Sequence, residues 1–138
     1  MRTFLDTNVL LDSILDRDDQ TFCNDAAAIL KLGRNGALEL FMSILSIPTI
    51  AYVIKNVNAD RKRAIIQDIT SIVKVLPALP EHVSAMFESP LSDIEDSLQL
   101  LSAKEGACDI IVTRDLNGFM QSDLPVISPK DLLSRILE

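Results

Sequence analysis

Three aspartates, Asp6, Asp96 and Asp115, are the residues of this chain whose type and setting could do chemistry. Asp6 closes an apolar run in Phe4-Leu5-Asp6-Thr7-Asn8-Val9-Leu10-Leu11-Asp12. Asp115 follows the run Ile110-Ile111-Val112-Thr113-Arg114. Asp96 heads a helical stripe through Leu100, Ala103 and Ala107, which turns an acid inward. That is costly unless something compensates the charge. No nitrogen or sulfur donors accompany the three: His82 is the sole histidine, and Cys23 and Cys108 show no CxxC or Cys/His spacing. Carboxylates alone suit a hard cation, Mg²⁺ or Mn²⁺, which keeps several waters and takes further ligands from phosphate. The chemistry that fits is cation-assisted phosphodiester hydrolysis. Each aspartate also has a plainer role, because an Asp after a strand often caps a helix or forms a turn.

The elements that must position these acids alternate between strand and helix. Strands are predicted over residues 2–5, 38–42, 72–76, 109–113 and 126–128. A first helix, capped by Asn8 or Thr7, runs through Leu10, Leu11, Ile14 and Leu15, and Arg17-Asp18-Asp19 breaks it. A second spans 20–34 with Ala26, Ile29, Leu30 and Gly33 as its stripe, stopped by Asn35-Gly36. A third starts near Ser46, with Pro48 in its first turn, and carries Ile50, Val53 and Ile54 on one side. Others cover 60–70, a short stretch from Pro80-Glu81, and Pro129 to Leu137. The helix bearing Asp96 starts at Ser92, where Ser92-Asp93-Ile94-Glu95 matches a capping box, and ends near Gly106. Ile94, Leu98 and Leu101 form its second apolar stripe. Glu95 falls with Gln99, Ser102 and Glu105 on a solvent face, so it reads as a capping and surface residue.

This alternation predicts an α/β fold, a parallel sheet with helices on both faces, in a single domain over 1–138. If the chain winds outward through strands two and three and then crosses back, strands one and four become neighbours. Asp6 and Asp115 then face each other at the switch point, where such sheets bind ligands.

Composition bounds the function. The chain has 138 residues, 48% of them hydrophobic, enough for a sizeable core. Aromatics are only 4%, so that core is aliphatic. A net charge of −7 excludes a protein held to nucleic acid by bulk positive charge. Arg61, Lys62 and Arg63, with Lys55 and Lys74 nearby, form the one basic cluster, either a solvated helix start or a patch that steers a phosphate backbone. Cys23 and Cys108 read as buried thiols in a reducing compartment, and His82 as a helix-surface residue. No apolar run approaches ~20 residues and the N-terminus reads as a strand, so no membrane partner and a cytoplasmic location are expected.

The motifs as a set resemble the PIN-domain family of metal-dependent ribonucleases, which includes VapC-type toxins of bacterial toxin–antitoxin pairs. Phe4-Leu5-Asp6-Thr7-Asn8-Val9-Leu10-Leu11-Asp12 looks like its first motif, and Asp93-Ile94-Glu95-Asp96-Ser97-Leu98-Gln99 like its (F)EDALQ motif. Asp109-Ile110-Ile111-Val112-Thr113-Arg114-Asp115 with Phe119, and Val126-Ile127-Ser128-Pro129, look like its closing motifs. The resemblance implies a three-layer α/β/α fold with five parallel strands in the order 3-2-1-4-5. It implies Mg²⁺ or Mn²⁺ held by catalytic Asp6, Asp96 and Asp115, with Asn8 supporting the first carboxylate and Thr113 shaping the pocket. It also implies an RNA substrate, a cognate antitoxin protein and a homodimer.

One position departs from the family. Its members usually carry a Glu on the third helix, six residues after a Ser that ends strand two. Counted from Ser43, that position is Thr49, which brings a hydroxyl and no charge. Three carboxylates hold a cation less tightly than four. Asp12, one turn beyond Asn8, could partly substitute, pair with Arg17 or face solvent, the last being simplest. The alternative function is therefore a degenerate PIN domain that binds RNA or protein without cleaving. A phosphatase of the haloacid-dehalogenase kind fits less well, since it needs an Asp where Asn8 stands.

Overall fold

The computed structural model describes residues 1–15 and 20–137. The break expected at Arg17-Asp18-Asp19 lies outside them. Five strands, β1 (Arg2–Leu5), β2 (Glu39–Ser43), β3 (Val73–Leu76), β4 (Ile110–Val112) and β5 (Val126–Ile127), form one parallel sheet in the order β3-β2-β1-β4-β5. The expected order 3-2-1-4-5 is the observed one.

Successive side chains on a strand point to opposite faces, and the central strands are covered on both. In register, Phe4 lies beside Phe41 and Ile111, and these three meet Leu76, Leu100 and Phe119 in one core. The alternate residues Leu5, Leu40, Met42, Ile110 and Val112 fill the other, aliphatic core. On the Phe4 face lie α5 (Glu81–Met86) and α6 (Ile94–Glu105). The opposite face carries α1 (Thr7–Asp12), α2 (Gln20–Arg34), α3 (Ser46–Val53), α4 (Ala59–Ile72) and α7 (Pro129–Leu137). Among the described residues, no helix is long and apolar enough to cross a membrane.

Most element ends fall within two residues of expectation, the ordinary uncertainty of helix and strand termini. The α6 helix differs more. It starts at Ile94, and its N-cap is Asp93, not Ser92. Gln99 and Ser102, expected on a solvent face, are fully buried, whereas Ile94 is exposed. Periodicity assigned that face to water because its residues are polar. Here polar groups of the protein receive it instead: Gln99 Nε2 donates to Thr7 Oγ1 (3.0 Å) and Ser46 Oγ (3.2 Å), and Ser102 Oγ to Pro77 O (3.1 Å). The helix ends at Glu105, so Ala107 lies beyond it, with φ 52° and exposed. Val53, expected inward on α3, is also exposed. His82 is buried, not on the surface: its Nδ1 accepts from Leu79 N at 3.0 Å and its Nε2 lies 3.5 Å from Glu105. Both cysteines are free and buried, and burial raises the Cys108 thiol to about 11.

Because all strands run the same way, their C-terminal ends share one edge. α1 departs directly from β1 at that edge. α6 leads back to the start of β4, so its first turn lies at the same edge.

Candidate functional site

Asp6 is held there by its own helix. It is the N-cap of α1, the role expected of Asn8 or Thr7, and Oδ1 accepts from Thr7 N at 2.8 Å. Its Oδ2 accepts from the Thr113 hydroxyl at 2.8 Å. That hydroxyl in turn accepts from Asn8 Nδ2 (3.3 Å) and from Asp115 N (3.0 Å). One buried threonine thus ties the end of β1, the first turn of α1 and the segment after β4. Asn8 adds a second tie, accepting from Arg114 N through Oδ1 at 3.4 Å.

Asp96 sits in the first turn of α6, its N–H bound by the Asp93 cap at 2.9 Å. Asp115 leads into a 3-10 turn (Asn117–Phe119) that the sequence did not announce, and its Oδ1 accepts from Gly118 N at 3.0 Å. Gly118 reveals how close the two acids are. A Cβ there would lie 2.6 Å from Asp115 Oδ2 and 2.7 Å from Asp96 Oδ2, so both oxygens aim at one point. No positive φ makes glycine necessary at this position, so its lack of a side chain acts by leaving space. Asp6, Asp96 and Asp115 line one open crevice of about 290 Å³ together with Asn8, Thr49 and Glu95.

Among the described residues, no Lys or Arg pairs with Asp6 or Asp96. Burial raises the Asp6 carboxyl above its ordinary value, opposed by the bonds from Thr113 and Thr7 and reinforced by the charges of Glu95 and Asp115. Asp96 is pushed up to about 7, first by desolvation and then by Asp6, Asp93, Asp115 and Glu95. Upward shifts of this kind, produced by burial and like charges in a cleft, mark candidate functional sites.

The family model described as "PIN domain" matches residues 2–117. The chain belongs to the PIN-domain family. Over 140 residues it is 24% identical to "Ribonuclease VapC1" of Aquifex aeolicus (strain VF5), covering 97% of this chain and 94% of that protein. Its fold is similar to VapBC2 from Rickettsia felis bound to a DNA fragment from their promoter. The TM-score there is 0.67 and the identity 14%, over 93% of this chain and 98% of that one. VapBC-1 from nontypeable Haemophilus influenzae superposes with a TM-score of 0.66 at 15% identity, over 94% and 99% of the two chains.

The donor set of this PIN domain fits a hard cation, being all oxygen, with two carboxylates converging beside Gly118. Among the described residues no three acidic, His or Cys side chains close a shell by themselves. The fit is to an ion that completes its coordination with water and phosphate, as Mg²⁺ commonly does.

The other expected site residues divide. Thr49 reaches the crevice, its hydroxyl 3.5 Å from Leu45 O. Asp12, expected to face solvent, is buried and pairs with Arg114: Oδ2 lies 2.6 Å from Nε without a directed bond, and Oδ1 accepts from Nη2 at 3.3 Å. Its charge therefore meets Arg114, and Arg17 lies outside the described residues. Arg61 borders a separate cleft of about 280 Å³ with Ile14, Ile65 and Asp68. Lys74, grouped with the basic cluster, instead binds Glu39 at 2.9 Å, and Lys55 lies over the Tyr52 ring. Sequence reasoning missed Gln99, Gly118 and the crevice position of Glu95. Of these, Glu95 and Gln99 carried a signal, their places in the motif around Asp96.

Proposed function

We propose that this PIN domain is a Mg²⁺- or Mn²⁺-dependent endoribonuclease of the cytoplasm, the toxin of a toxin–antitoxin pair. The observation that carries this reading is the convergence of Asp96 and Asp115 beside Gly118, in the crevice that Asp6 enters from β1. In its support stand the family membership and the likeness to a protein named ribonuclease VapC1. Asp6, Asp96 and Asp115 would hold the ion, which when bound supplies Lewis-acid polarisation of a phosphodiester and activation of water. Thr113 and Thr7 orient the Asp6 carboxylate by donating to its two oxygens. Gly118 N orients Asp115, and the Asp93 cap fixes the backbone under Asp96. RNA is the substrate in this reading. Arg61, Lys62 and Arg63, at the end of α4 away from β3, are candidates to meet its backbone. The partners are an antitoxin that blocks the crevice and a second copy of the chain.

The test is cleavage of a broad panel of structured RNAs by purified protein with Mn²⁺, beside Asp6→Asn and Asp96→Asn. Metal-dependent cleavage by the wild type alone is expected. No cleavage of any RNA would favour the second reading, a PIN domain that binds without cutting. Thr49 on the crevice is the observation behind that alternative. Cleavage gained by Thr49→Glu would show a site weakened only by the missing acid.

A further inference from the structure

The acids around the crevice differ in how they are employed. Asp93 lines it but caps α6, accepting from Asp96 N at 2.9 Å. Asp12 is buried against Arg114. Glu95 lines the crevice one residue before Asp96, is exposed, and among the described residues has no hydrogen bond or ion pair of its own. Thr49, where the resemblance to the family implies a Glu, lines the same crevice. We propose that Glu95 is the fourth carboxylate of the site, supplying from the first turn of α6 the charge that α3 lacks at Thr49. The inference rests on the metal-dependent reading above.

Two observations support it. Glu95 is longer by one methylene than the neighbouring aspartates, which gives an exposed side chain on the rim the reach to swing inward. The first turn of α6 carries the positive end of the helix dipole, which favours the two acids Glu95 and Asp96 placed there.

Calorimetric titration of the full chain with Mn²⁺ tests this, run alongside RNA cleavage and with melting in EDTA to confirm folding. Asp6→Asn should abolish binding. Glu95→Gln should weaken it by about tenfold or more, the scale seen when groups supporting a metal site are removed. Asp93→Asn, which removes a charge from the same rim yet still caps the helix, should change affinity by no more than about twofold. Adding Thr49→Glu to Glu95→Gln should restore binding. Wild-type affinity in Glu95→Gln, with Asp6→Asn still inactive in binding, would overturn the role of Glu95 alone. Equal losses in Asp93→Asn and Glu95→Gln would also overturn it, by reducing the effect to general charge. Absence of any Mn²⁺ binding that Asp6→Asn removes would overturn both this role and the metal-dependent reading.

Discussion

At the N-terminal edge of the sheet Glu39 meets cations; at the C-terminal edge the acids of the crevice meet one another. Glu39 is held by Arg2 (3.0 Å) and Lys74 (2.9 Å), and the bond from Lys74 is the main reason its carboxyl sits below its ordinary value. Arg2 also donates to Gly106 O, lies 4.2 Å from the centre of the Phe41 ring, and binds Asp109 through its backbone N–H at 2.7 Å. At the opposite edge, Asp6 and Asp96 are raised instead of lowered, and among the described residues no Lys or Arg pairs with either. The same strands therefore end in a neutralised, stabilising margin and in one where burial and like charges disfavour the charged carboxylates. Local electrostatic discomfort of this kind is a usual property of functional margins.

The largest expected difference between the edges is in catalysis. Asp6→Asn or Asp96→Asn should lower RNA cleavage by about 100-fold or more, the scale of losing one main electrostatic stabiliser. Glu39→Gln should leave the rate unchanged, and a comparable loss from it would dissolve the contrast. Next comes the coupling of stability to pH and metal. An acid whose folded value is raised binds protons more tightly folded than unfolded. Stability is therefore fully present below the ordinary value of 3.8 and is lost as pH rises through about 7 for Asp96. In EDTA the melting temperature should fall between about pH 5 and about pH 8. Asp96→Asn should flatten that fall, and Mg²⁺ should reverse it, adding about 2.7 kcal/mol at 100 times its Kd. A melting temperature indifferent to Mg²⁺ would count against a cation at this edge.

Gly118→Ala is a finer probe. It should reduce Mn²⁺ affinity by about tenfold, because the new methyl takes the point at which Asp96 and Asp115 aim, while the metal-free fold persists. Undiminished affinity would show that the two carboxylates can move aside freely. The smallest effect belongs to the other edge, where Ala107 ends α6 in the left-handed region at φ 52° and Cys108 N reaches back to Ala103 O. Ala107→Gly should raise stability by about 0.5–1 kcal/mol in chemical denaturation, without touching cleavage.

The edge carrying Asp6 was legible because an aliphatic run that stops at a carboxylate is a strong local signal, whereas the full sheet order came from the resemblance to the PIN-domain family. Gln99 and Ser102 were misplaced because a helical wheel registers polarity and cannot tell water from a buried hydroxyl such as that of Ser46. Asp12 was misplaced for a related reason: Arg114, the cation that makes its burial tolerable, is distant in sequence. The contribution of Gly118 is an absence of atoms, and it becomes visible only when two carboxylates from different segments surround it. The cap shifted from Ser92 to Asp93 because both residues satisfy the same local preference, and packing of α6 chooses between them.

The Thr113 hydroxyl has one hydrogen to give and two lone pairs to share, and its three bonds to Asp6, Asn8 and Asp115 use all of them. Its rotor is therefore locked, with no solvent contact through which to trade its hydrogen. A hydroxyl resonance normally erased by rapid exchange with water should persist here in a proton spectrum. Its chemical shift would follow the Asp6 carboxylate and give an isotope-sensitive gauge of what that carboxylate is bound to.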